Sequence, residues 1–175
     1  MGQCTSIIVE TGRATLGYGR MLLEGIEAGR FARLIQADGR PVASNHPAYA
    51  YGHLSIYPTR ICSMLGIEGA PGNPSGFEEL FEMGSECRDD PDGAIYPPMD
   101  AITSHYLNGH ESLLSAIGEL DDAMLDRPNP REGRLREMFP TVGSMVAFLV
   151  GPHAMAHLGQ VSAWRRFEGL GPVMD

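Results

Sequence analysis

"TVGSMVAFLVGPHAMAHLGQVSAWRR", residues 141–166, carries Val142, Val146, Leu149, His153, His157, Gln160 and Trp164 at steps of three and four. That spacing keeps one line of side chains on a 3.6-residue helix, so the stretch predicts a helix starting near Thr141 with both histidines on its core-facing side. Pro152 has no amide proton and predicts a bend just before the pair. Residues four apart on a helix stand about 5–6 Å apart, close enough for two imidazoles to hold one cation. The competing reading is two ordinary core histidines. It is costly, because an unpaired buried polar group loses about 1–3 kcal/mol and two must be satisfied on adjacent turns.

Upstream, Ile102, Tyr106, His110, Leu113, Ile117, Leu120 and Met124 repeat the same stepping and predict a helix from Asp100 onward. "DRPNPREG" at 126–133 then turns the chain. "SNHPAYAYGHLSIYPTRICSML" at 44–65 opens with Ser44 and Asn45 as cap residues and Pro47 in a first turn, which predicts a helix over 46–65; Pro58 cannot bond the Leu54 carbonyl, so a kink is expected one residue after His53. Residues 6–35 place Ile8, Leu16, Leu23, Ile26 and Leu34 at mostly helical spacing, with Thr5 or Ser6 as cap. Five glycines from Gly12 to Gly29 weaken that helix or let a neighbour approach closely.

Between the second and third helices, residues 66–99 hold Pro71, Pro74, Pro91, Pro97, Pro98 and several glycines, with "GFEELFEMGSEC" as a candidate short acidic helix. A connection of this length crosses a fold and can roof a pocket. No alternating strand pattern or internal repeat is present. The expectation is an all-α, single-domain protein over residues 1–175: a four-helix bundle with a long crossover between helices 2 and 3.

Composition narrows the chemistry. The net charge is −9, from 22 acidic residues against 13 basic ones, and every base is Arg. A surface of that sign repels phosphate backbones, so nucleic acid is not expected as a partner. The absence of Lys removes Schiff-base chemistry. Apolar runs are broken by Gly, His, Ser or Arg short of about 18 residues, so no membrane span is expected. Cys4, Cys62 and Cys87 show no CxxC spacing, and with no export signal in sight a reducing cytoplasmic location is expected. "MGQCTS" formally fits a myristoylation pattern, which is short enough to arise by chance.

A metal held by His153 and His157 needs a third ligand from another helix. His46 reads as a capping or surface residue and His105 lies off its helix's core stripe, which leaves His53 and His110; spacing does not separate these two. Zincin peptidase chemistry is excluded, since the position after the first histidine is Ala154 and not the required Glu.

With "NHPAYAYGHL" in the second helix and "HAMAHLGQVSAWRR" in the last, the chain resembles the DinB/YfiT family of metal-binding four-helix bundles. The resemblance implies His53, His153 and His157 as the metal triad, and a divalent ion, zinc, nickel or iron, with an open coordination position. It further implies a homodimer and a thiol-dependent S-transferase acting on a small-molecule electrophile with a low-molecular-weight thiol. A metal-dependent hydrolase and a non-catalytic ligand-binding bundle are the alternatives. Three neutral imidazoles leave the ion its full charge, the pattern of catalytic sites that activate a bound thiol or water.

Gln160, three residues after His157, is the candidate catalytic residue, orienting a ligand or the substrate; a buried amide tying two helices together is the plainer role. Arg165 and Arg166 are candidates for a carboxylate of the thiol cofactor, against the simpler reading of solvated arginines at a helix C-terminus. Trp164 reads as core, and Tyr49 and Tyr57 as packing residues that can also line a cavity.

Overall fold

The computed structural model describes residues 2–68 and 72–174. Its elements are α1 (Gln3–Met21), a two-residue hairpin of β1 (Gln36–Ala37) and β2 (Arg40–Pro41), α2 (Pro47–Ser55), α3 (Tyr57–Leu65), α4 (Phe77–Phe81), α5 (Met99–Gly118), α6 (Arg134–Met138), α7 (Val142–Phe148) and α8 (Ala154–Phe167). A π-helical turn, Leu149–His153, joins α7 to α8 without a break. The fold is all-α apart from the hairpin.

The first helix is shorter than its hydrophobic spacing predicts, and it is capped from a distance. Neither Thr5 nor Ser6 starts it: the Asp122 carboxylate accepts from the backbone N–H of Cys4 and Thr5 and from the Thr5 hydroxyl. The helix ends at Met21, ahead of Gly25 at φ +74°. Ile26, Phe31 and Ile35 still bury in the core, but from irregular chain. Asp38 and Gly39, both at positive φ, close the hairpin that period-2 reading overlooked; Asp-Gly is the residue pair such a tight turn favours.

The second predicted helix is two helices. Pro58 lacks the proton that would continue the ladder, and the chain breaks at Ile56 into α2 and α3. Its N-cap is His46, not Ser44 or Asn45: His46 Nδ1 accepts from Tyr49 N at 3.1 Å, and Nε2 donates to Arg88 O at 2.9 Å. His46 is fully buried, so it caps the helix from inside the protein and is no surface residue. The third helix, α5, buries Ile102, Tyr106, His110, Leu113 and Ile117 as predicted but stops at Gly118, before Leu120 and Met124.

α1 packs on α5, α7, the π turn and α8; α2 packs on α5, α8 and α4; α3 packs on α5 and α7. Gly12 and Gly19 let α5 come close to α1, since a Cβ there would meet Leu114 at 2.4 Å and the Tyr106 hydroxyl at 2.5 Å. One part of the core gathers Tyr51, Tyr106 and Trp164; the other gathers Val9, Ile61, Leu65, Leu113 and Val146. Each large apolar side chain fully buried there contributes about 1.5–3 kcal/mol. Trp164 is core, its indole N–H donating to Arg33 O at 2.8 Å.

The connection over residues 66–98 contains α4 where the acidic helix is expected; Pro71 lies outside the described residues. It is tied down by the Arg33–Asp89 ion pair and by Tyr49 donating to Ser85 O. Taken end to end, Val142–Phe167 is long and apolar enough by composition to cross a membrane, which reading its separate apolar runs does not reveal. In this fold its Val146, Leu149, Leu158, Val161 and Trp164 are buried among the other helices.

Candidate metal centre

The π turn decides where the histidines point. Pro152 cannot donate, and one residue is added to the turn that contains it. Up to Leu149 the buried face follows the predicted stripe: Val142, Val146, Leu149. Beyond the turn burial passes from the stripe's His153, His157 and Gln160 to their neighbours Ala154, Leu158 and Val161, and the stripe is buried again only at Trp164, beside Arg165. His153, His157 and Gln160, predicted to face the core, therefore stand half-buried on its shoulder, facing α2.

There they meet His53. One ring nitrogen from each of His53, His153 and His157 lies within 4.8 Å of the other two. His53 Nε2 and His153 Nε2 are 3.3 Å apart, and ring centroids stand at 4.5 Å for His53–His157 and 4.8 Å for His153–His157. Of the two third-ligand candidates, the geometry selects His53. His110 is a satisfied core histidine, its Nε2 donating to Leu54 O at 3.1 Å, and His105 pairs with Asn73 Oδ1.

Two of the three rings have their tautomer set by neighbours. His53 Nδ1 donates to Phe81 O at 2.7 Å, which leaves Nε2 a lone pair aimed at the other two rings. His157 Nδ1 donates to Gln160 Oε1 at 3.2 Å, and that oxygen also accepts from Asn45 Nδ2 at 2.9 Å. His157 Nε2 is thereby unprotonated as well. His153 Nδ1 is buried with no hydrogen-bond partner, the Leu149 carbonyl beside it only nudging the ring's basicity up.

Burial holds all three rings neutral. It lowers the pKa of His53 to about 4 and that of His153 to about 3, and it lowers His157 as well. The mutual repulsion of the rings deepens the shift at His53 and His153. Neutral imidazoles at pH 7 are the form that binds a metal.

The donor set fits a divalent ion. Two nitrogens bound at about 2.0–2.1 Å with near-tetrahedral angles stand about 3.3–3.4 Å apart, the separation of the His53 and His153 Nε2 atoms. The 4.8 Å limit on the cluster is wider, so one ring must move inward on loading. A cation on His153 Nε2 would put that ring's proton on Nδ1, beside the Leu149 carbonyl, and so relieve the orphaned atom. Zinc, nickel and ferrous iron all accept three imidazoles.

Aromatic side chains frame the triad. The Tyr57 ring lies 5.1 Å from His53 and 4.6 Å from His153; Phe148 is 5.8 Å from His153; Tyr49 runs parallel to His53 at 6.2 Å. A cavity of about 280 Å³ opens beside His153.

The two arginines named from the sequence are differently placed. Arg165 is buried on the face opposite solvent, donating to the carbonyls of Leu22 and Glu24 just past α1, so it is neither solvated nor presented to a ligand. Arg166 is exposed and donates to Ser162 Oγ. Sequence reasoning missed Asn45, which reads locally as a cap, and the Phe81 carbonyl, which no motif marks directly. Gly52 is the indirect clue to the second: a Cβ there would meet the Phe81 ring at 2.3 Å, so "Gly-His" next to a packed aromatic is required sterically. Compared with protein-family models and with curated proteins, the chain matches none.

Proposed function

We propose that the protein is a divalent-metal-dependent, thiol-dependent S-transferase built on a four-helix bundle of the DinB/YfiT kind. The observation that carries this reading is the convergence of three neutral imidazoles, two of them with tautomers already committed by Phe81 O and Gln160 Oε1. A divalent ion held by three neutral ligands keeps its charge and an open position, and lowers the pKa of a thiol or water that approaches it.

The chain's own residues do the rest. The Phe81 carbonyl fixes the His53 ring, and Asn45 fixes Gln160, which in turn fixes His157; Gln160 is thus a positioning residue for a ligand. Tyr57 and Phe148 shield the His153 side from water and give an electrophile an apolar wall. In the transfer, the thiolate sulfur forms a bond to carbon, the leaving group departs with its electron pair, and the thiol proton goes to solvent. A low-molecular-weight thiol is the partner, since Cys4 is exposed at the start of α1 beside Asp122, and Cys62 and Cys87 have thiols pushed up in pKa by burial.

The test is turnover. Zinc-, nickel- or iron-loaded protein incubated with a panel of cellular thiols and a soft electrophile should form a thioether at a rate that depends on both thiol and metal. Turnover with water alone would favour the hydrolase instead, and metal binding with no turnover across the panel would leave a passive binder.

A further inference from the structure

The cavity beside His153 is lined by apolar side chains and two arginines. Met64, Met83, Met145, Phe148 and Leu149 line it together with Tyr57, Arg60 and the exposed Arg131. Arg60 lies 5.6 Å from the Tyr57 ring centre and is paired with Glu78. Arg131 makes no side-chain hydrogen bond or ion pair among the described residues; only its backbone N–H is engaged, by Asn129 Oδ1. Both guanidiniums are close enough to the Tyr57 phenol to oppose the rise in its pKa that burial causes. Arg131 therefore gives this apolar cavity a positive charge that no carboxylate among the described residues neutralises.

We propose that this cavity binds a small, apolar carboxylic acid, its carboxylate on Arg131 with Arg60 as the second donor and its hydrocarbon body on the methionines and Phe148. A carboxylate matches the single unneutralised guanidinium in charge and the planar fork in shape; a phosphate dianion would bring more charge than that guanidinium offers. The volume, about 280 Å³, suits a small ligand, and methionines adapt to varied hydrocarbon shapes. Bound this way, the acid lies against His153, which makes it the substrate class of the proposed transferase. That last step rests on the metal-site reading; the binding itself does not.

The full chain carrying ¹³C-methyl methionine, zinc-loaded and zinc-free, is titrated with hexanoate, hexanamide and acetate while the Met64, Met83 and Met145 methyl signals are followed by NMR. Hexanoate should shift these signals in both forms and bind on the order of tenfold more tightly than hexanamide, as a charge-assisted contact requires. Acetate should not saturate. Arg131→Met should bring hexanoate down to the affinity of hexanamide, and Arg131→Lys should restore part of the difference; Arg131 is exposed, so neither variant threatens the fold. Equal affinity for acid and amide, a preference untouched by Arg131→Met, or a preference that vanishes with zinc would each overturn the proposal. Failure to bind zinc with the hexanoate preference intact would instead sink the metal reading and leave the carboxylate site standing.

Discussion

His53 Nε2 and His153 Nε2 face each other at 3.3 Å across the seam between α2 and the π turn, one hundred residues apart in sequence. With His53 protonated on Nδ1 by its bond to the Phe81 carbonyl, the contact pairs a fixed lone pair with a ring whose other nitrogen has no partner. A cation resolves both conditions at once.

Removing a ligand should therefore differ in kind from removing a core histidine. His53→Ala should weaken zinc binding by more than about 100-fold, beyond the 10–100-fold typical of losing a supporting contact. His110→Ala should leave zinc affinity within a few-fold and cost about 1–3 kcal/mol of stability through the orphaned Leu54 carbonyl, plus the cavity left behind. Competition with a chromophoric chelator and denaturant unfolding measure the two effects separately; the opposite ranking would mean that the third ligand is misassigned.

Gln160→Leu keeps the volume but removes the acceptor that orients His157. Zinc affinity should fall about 10–100-fold with little change in melting temperature, and Asn45→Ala should give a smaller loss of the same sign. An unchanged affinity in both would reduce the pair to a helix-to-helix tie.

Gly52→Ala should be harmful and Gly159→Ala harmless, although both glycines sit in helices beside ligands. A methyl at 52 strikes the Phe81 ring, whose residue also supplies the carbonyl on His53, so stability and zinc affinity should fall together. Nothing lies within 4 Å of a methyl at 159, and the gain in helix propensity, up to about 1 kcal/mol, should show as a raised melting temperature.

The metal-free protein should lose stability as pH falls from about 6.5 toward 4. Burial lowers the pKa of His110 to about 4 from its ordinary 6.5, so below 6.5 the unfolded chain takes up a proton that the folded one refuses. Stability is fully present above 6.5, and this residue alone withdraws about 2 kcal/mol by pH 5. Buried His46 and the triad act in the same direction. The check is the slope of unfolding free energy against pH, which should be shallower in His110→Asn; an unchanged slope would place His110 in contact with water.

The helical class and the ligand pair were readable because periodicity is a local property: α5 and α7 lie where Ile102 to Ile117 and Val142 to Leu149 put them. What was not readable depends on distant chain. α1 is capped by Asp122, more than a hundred residues away, so no local cap residue marks its start at Gln3. The π turn at Leu149–His153 shifts burial from His153 and His157 to Ala154 and Leu158, and a constant 3.6-residue period cannot represent that shift. Spacing alone leaves His53 and His110 open, since both lie on buried helical faces; the resemblance favours His53, and the fold brings its ring to the terminal pair. Arg165, a surface residue by its position near a helix end, is buried because Leu22 O and Glu24 O lie beneath it.

The most direct test of the metal centre is the metal content and zinc isotherm of untagged protein, compared with a variant in which His53, His153 and His157 are all alanine. One divalent ion per chain, retained through dialysis and lost in the triple variant, is the expected result. No ion in the purified protein and no saturable zinc binding, or binding that the triple variant preserves, would contradict it.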